Sequence, residues 1–204
     1  MIKIVDYGLG NILAFSNMFR RLNIPVAGAN SAAELEGATK LILPGVGAFD
    51  KAMDALDASD MRSTLEKLVL EKKVPVLGIC VGMQILAQSS DEGAREGLGW
   101  VPGKVRAFRS ERRSAGLPVP HMGWNDVLPK GGGILFGGLE SDSRFYFLHS
   151  YFFECENSAS VIATTDYGMQ FSSAVNAGNV YGVQFHPEKS HHYGALLLKN
   201  FAEL

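Results

Sequence analysis

The stretch Val74-Pro-Val-Leu-Gly-Ile-Cys80-Val-Gly-Met-Gln84 constrains the chain more than any other. A short apolar run stops at a cysteine between two glycines and then takes up helical spacing, which predicts a strand, a sharp turn and a helix with Cys80 at the turn. Gly78-x-Cys80-x-Gly82 is the thiol counterpart of the Gly-x-Ser-x-Gly nucleophile elbow. In that motif the flanking glycines let strand and helix pack closely enough to hold the nucleophile strained and exposed. The start of a helix also supplies free N–H groups and a positive dipole end, both of which favour a thiolate.

The rest of the pattern suits such an elbow. The β-branched runs Ile2–Val5, Ile24–Gly28, Leu41–Leu43 and Val74–Ile79 alternate with helical stretches such as Asn11–Leu22 and Met61–Lys72. Alternation of this kind implies a parallel sheet covered on both faces. From about Gly103 the texture changes to short strand candidates: Val105–Phe108, Trp124–Leu128, Phe145–His149, Ser160–Thr165, Phe171–Val175 and Val180–Phe185. They predict a more antiparallel half, closed by a helix from about His191 to Phe201. The expected architecture is one α/β domain over residues 1–204, with a central, mostly parallel mixed sheet flanked by helices. Gly131-Gly-Gly133 reads as a loop tip rather than a linker.

Charge and composition narrow the function classes. A formal net charge of −2, with 47% hydrophobic and 20% charged residues, lacks the basic excess of a nucleic-acid binder. The first residues carry charge too soon for a secretory signal, and the longest uncharged stretch, Val74 to Ser90, is too short for a membrane span. The expectation is a soluble, cytoplasmic protein with neither nucleic acid nor membrane as partner. Two cysteines make no disulfide framework, no Cys/His cluster has metal-ligand spacing, and no cofactor is implied. Tyr7-Gly-Leu-Gly-Asn11 opens like a dinucleotide fingerprint, but the third glycine falls at Leu13. The basic run Lys104–Arg113 reads as a solvated hairpin with outward charges.

A cysteine nucleophile needs a base, and the base needs a third group to orient it. Tyr181-Gly-Val-Gln-Phe-His186-Pro-Glu188 offers both, because residues two apart in an extended chain point the same way. Pro44-Gly45-Val46-Gly47 supplies the remaining element. Glycines around one residue let a peptide N–H turn toward the site, and the N–H of Val81, just after the nucleophile, is the natural second donor of an oxyanion hole.

These segments, in this order, resemble the triad-type glutamine amidotransferases. The wider match is to the family of glutaminase subunits of imidazole glycerol phosphate synthase. It is carried by Asp6-Tyr-Gly-Leu-Gly-Asn-Ile12, Leu43-Pro-Gly-Val-Gly-Ala48, Leu77 to Gln84, Pro120-His-Met-Gly-Trp-Asn125, Phe145-Tyr-Phe-Leu-His-Ser-Tyr151 and Gly182 to Ser190, which span nearly the whole chain. The resemblance implies a class I amidotransferase fold with flavodoxin-like layering and glutamine as substrate. It implies Cys80 as nucleophile, His186 as base, Glu188 as its orienting partner, and Gly45, Val46, Gly47 and Val81 around the oxyanion. Gln84, Ser150 and Tyr151 match positions that hold glutamine. Asn11, Trp124, Tyr146 and Lys189 match positions facing a (β/α)₈-barrel cyclase, which takes the ammonia and makes imidazole glycerol phosphate and AICAR in histidine biosynthesis. Val81, Trp100 and His191-His192 depart from the usual residues of that family. The departures keep open a paralogue serving another acceptor, such as a surface sugar. A γ-glutamyl hydrolase or cysteine peptidase on a related fold is the further alternative.

Overall fold

The computed structural model describes residues 1–108, 116–131, 133–139 and 143–204. The first part alternates strand and helix: β1 (Ile2–Val5), α1 (Ile12–Arg21), β2 (Val26–Ala29), α2 (Ala32–Leu35), β3 (Lys40–Gly45), α3 (Phe49–Ala58), α4 (Arg62–Glu66), β4 (Val76–Cys80) and α5 (Val81–Gln84). The second part is mainly strands: β5 (Ser89–Ser90), β6 (Gly103–Ala107), β7 (His121–Asp126), β8 (Leu128–Pro129), β9 (Arg144–His149), β10 (Tyr151–Cys155), β11 (Val161–Asp166), β12 (Gln170–Ala177) and β13 (Val180–Val183). Helix α6 (His191–Glu203) closes it.

The main sheet has the order β2-β1-β3-β4-β13-β12-β10-β6-β5, with β11 and β8 continuing from β12. Strands β2, β1, β3, β4 and β13 run parallel, and β12 turns the sheet antiparallel. The Val180–Phe185 strand expected in the antiparallel half joins the two halves: β13 pairs antiparallel with β12 and parallel with β4, Gly182 beside Gly78. Strands β7 and β9 form a separate two-stranded sheet, His121 opposite His149 and Trp124 opposite Tyr146.

Burial explains the central strands. All five residues of β4 are buried, as a strand covered on both faces requires. Helix α1 sets Phe15 and Phe19, one turn apart, into the core. Burying each contributes about 1.5–3 kcal/mol. The helix expected over Met61–Lys72 instead divides into α4 and a wider π turn, Lys67–Glu71. The Asn179 side chain donates to Val69 O at 2.9 Å, satisfying a carbonyl at the helix end, and to Val74 O at 3.0 Å in the segment leading to β4. Strand β10 was not among the expected strands. In the basic run, Lys104 and Arg106 pair with Asp91. Residues 109–115 of that run, and Gly132 of the glycine loop, lie outside the described residues.

Candidate active site

Glycine packing builds the elbow. A Cβ at Gly82 would lie 1.9 Å from Leu43 O, one at Gly78 2.5 Å from Gly82 O, and one at Gly45 2.4 Å from Gly82 N. The end of β3, the end of β4 and the start of α5 therefore interlock at distances that admit no side chain. Cys80 is held at φ +56°, ψ −113°, a backbone state that costs a non-glycine residue about 1–3 kcal/mol and persists where its surroundings enforce it. The helix after Cys80 is only four residues long, so the macrodipole invoked from sequence is small. What remains at the elbow is the local set of unpaired N–H groups.

His186 follows β13, where its N–H donates to Tyr146 O at 2.8 Å. Ser190 clamps this arrangement: its hydroxyl donates to His186 O at 2.6 Å and accepts from Tyr146 N at 3.0 Å. The short turn Pro187–Lys189 brings Glu188 back under the ring, its Oε1 2.8 Å from His186 Nδ1 and both side chains buried. Burial alone would lower the His186 pKa, but hydrogen bonds to Cys80 and Glu188 and their negative charge outweigh it, and the imidazolium is favoured. Cys80 Sγ also lies 3.9 Å from Leu148 O and 3.9 Å from Gln184 Nε2.

A cavity of about 310 Å³ opens over these groups. Of the residues expected from sequence, Cys80, Val81, Val46, Gly47, Gln84, Ser150, Tyr151 and His186 line it, and so does Lys189. Glu188 sits behind His186. Gly45 is absent from the lining; it pairs with Cys80 across the sheet and serves the packing just described. Gly47 has φ +92° with open space around its α-carbon, so its glycine is required by conformation rather than contact. The Gln84 amide nitrogen is engaged on both sides, donating to Tyr151 O at 3.2 Å and Gln184 Oε1 at 3.1 Å.

Three of the four expected partner-facing residues gather on one surface. Trp124 packs edge-on against Tyr146 and stacks on His191, and Lys189 Nζ lies 5.5 Å from the Tyr146 ring centre. Asn11, which is exposed, caps α1, its side chain accepting from Ala14 N at 3.0 Å, a bond worth about 1 kcal/mol. Trp100 is a core residue.

The sequence reading missed four residues here. Glu92 contributes an acidic side chain to the cavity, held by accepting the Phe49 N–H at 2.8 Å. Gln184 and His149 stand beside the catalytic groups. Tyr7 donates to Pro44 O at 2.7 Å, and its pKa is raised by burial and then by the charge of nearby Cys80. Gly10 packs on the same proline, where a Cβ would lie 2.7 Å from Pro44 Cβ. The incomplete glycine motif of the first loop is thus a buttress for the β3 loop. No helix among the described residues is long and apolar enough to cross a membrane.

Comparison with known proteins agrees with this geometry. Imidazole glycerol phosphate synthase subunit HisH of Bdellovibrio bacteriovorus is 65% identical over 204 residues, covering all of both chains. The subunit of the same name from Leptospira interrogans is 52% identical, again over all of both. A crystal structure of a glutamine amidotransferase superposes with a TM-score of 0.77 at 20% identity, covering 99% of this chain and 97% of that one, a likeness of fold. The family model for class-I glutamine amidotransferases matches residues 3–204, and the chain belongs to that family.

Proposed function

We propose that the chain is the glutaminase subunit of an imidazole glycerol phosphate synthase, releasing ammonia from glutamine for a (β/α)₈-barrel cyclase subunit in histidine biosynthesis. The observation that carries the chemistry is the contact of Cys80, at a strained elbow, with a buried His186 that is itself paired with Glu188 at 2.8 Å. The relatives' names, at up to 65% identity over the whole chain, favour the histidine-pathway subunit over a paralogue with another acceptor or a peptidase.

In the proposed reaction the Cys80 thiolate attacks the side-chain carboxamide carbon, and the carbonyl electron pair moves onto oxygen. Val46, Gly47 and Val81 line the cavity where that oxyanion forms, and their backbone N–H groups are its proposed donors; removing one such donor typically costs about 10²–10³ in turnover. The His186 imidazolium gives its proton to the departing nitrogen, which leaves as ammonia. Neutral His186 then takes a proton from water. The resulting hydroxide attacks the thioester and expels the thiolate as glutamate forms. Glu188 holds the ring and stabilises its charge. Glu92 offers a carboxylate to the α-ammonium of glutamine, while Ser150, Tyr151 and Gln84 wall the other side. Trp124, Tyr146 and Lys189 form the surface toward the cyclase.

The test is Cys80→Ala in the assembled synthase. Release of glutamate from glutamine should vanish while cyclase turnover with added ammonium persists. Retained glutamine-dependent turnover would overturn the reading, and cleavage confined to γ-glutamyl peptides would move it to the hydrolase alternative.

A further inference from the structure

Two histidines face each other where β7 meets β9, His149 at the edge of the cavity and His121 behind it. His121 Nδ1 lies 2.9 Å from His149 Nε2, and His149 Nδ1 lies 2.7 Å from Tyr151 O. Asn125 Nδ2 lies 3.2 Å from His121 Nε2 and donates to Asp166 O at 2.8 Å, while its Oδ1 accepts from Asp126 N. Neither imidazole takes part in the chemistry above.

The hydrogen-bond chain admits one assignment of protons. A carbonyl oxygen only accepts, so His149 must carry its proton on Nδ1 and present Nε2 as an acceptor. His121 must then donate from Nδ1, and its Nε2 accepts from the Asn125 amide. Protonating either ring would set two N–H groups against each other or against the amide donor. The surroundings enforce neutrality as well. His121 is stacked between Phe147 and Tyr167, at 4.7 and 4.1 Å between ring centres, and Phe108 and Phe171 pack on His149. Burial holds both rings well below the ordinary imidazole range.

The chain ends on the cavity. Tyr151 O accepts from His149 and also from Gln84, and Ser150 and Tyr151 line the cavity beside Cys80. We infer that His121 and His149 are positioning residues for glutamine binding: through one fixed run of hydrogen bonds, from Asp166 O to Tyr151 O, they hold the Leu148–Tyr151 wall in register with Cys80. This rests on the proposed glutaminase activity and adds to it a support reaching from β7. The bonded end of the wall, Ser150 and Tyr151, is the part proposed to hold the body of glutamine rather than its scissile bond, so its loosening is expected in KM more than in kcat.

Two measurements on the full chain test the inference. Nitrogen NMR of the imidazoles at neutral pH should show His121 and His149 both as neutral Nδ1–H tautomers. An Nε2–H tautomer or a charged ring at either position would overturn it, whatever the activity proves to be. In the assembled synthase, His121→Phe keeps a ring between Phe147 and Tyr167 but removes the donor to His149. The KM for glutamine should rise by about tenfold, the scale of one lost buried hydrogen bond, with kcat and ammonium-dependent turnover little changed. His121→Asn places an amide N–H at the Nδ1 position and should restore most of the affinity. Equal KM in all three proteins, or a fall in kcat that Asn does not rescue, would overturn the positioning role. Absence of glutamine turnover in the unaltered protein would instead defeat the glutaminase reading.

Discussion

Acid should destabilise this protein through its neutral histidines, and His121 allows the effect to be measured singly. Its pKa in the folded chain is lowered to about 4 by burial, against 6.5 for an unperturbed imidazole. The stability associated with a depressed pKa is fully present above the unfolded value and is lost as pH falls toward the folded one. At one pH unit below 6.5, the unfolded chain binds a proton that the native chain refuses, a penalty of about 1.4 kcal/mol. His121→Asn removes that proton site while keeping the donor to His149, and all other titrating groups, including His149 and His186, are common to both proteins. Urea unfolding at pH 7.5 and 5.5 should therefore show the unaltered protein losing about 1.4 kcal/mol more than the variant over that interval. Equal losses would mean that native His121 takes up the proton, and the one-way hydrogen-bond chain would be wrong.

The elbow and triad give three more expectations. Gly82→Ala drives a methyl into Leu43 O and should cost about 1–3 kcal/mol or more in urea unfolding, with glutaminase turnover lost alongside. Glu188→Gln leaves His186 hydrogen-bonded but without its buried counter-charge. Glutamine turnover should fall by about 10²-fold or more, and the imidazolium should titrate at lower pH by proton NMR. Tyr7→Phe removes the bond to Pro44 O and should cost about 1 kcal/mol in unfolding, with a larger fractional loss in kcat than in ammonium-dependent turnover.

The legible part of this site was what the chain encodes locally. Cys80 between two glycines, and His186 two residues from Glu188, carry their geometry in their spacing, and the structure brings them together. Gly45 was less legible because a glycine at a strand end has two uses. Only the packed elbow shows that its close approach to Gly82 already requires glycine there. Asn11 likewise has a local use, capping α1, which its position before a helix makes legible. Glu92, Gln184 and the His121–His149 pair were not legible at all. Each acts across long sequence separation, such as the 28 residues between the two histidines, and no local periodicity reports such a contact. The Lys67–Glu71 π turn escaped for a related reason, since the Asn179 amide that satisfies its carbonyl lies 110 residues from Val69.

Strand β9 ties these features into one device. Its alternation sends Phe145, Phe147 and His149 inward, while Tyr146 and Leu148 lie on the outer face, opposite Trp124 and Met122 of β7. Met122 and Leu148 are exposed, as is part of Trp124, so this small sheet offers an apolar surface to a partner. The backbone of the same outward residues holds the reacting groups: Tyr146 O receives the His186 N–H, and Leu148 O lies against Cys80 Sγ. A subunit gripping the Tyr146 and Leu148 side chains therefore acts on peptides that contact the base and the nucleophile directly. The His121–His149 bond ties the opposite face of both strands to the glutamine-binding wall.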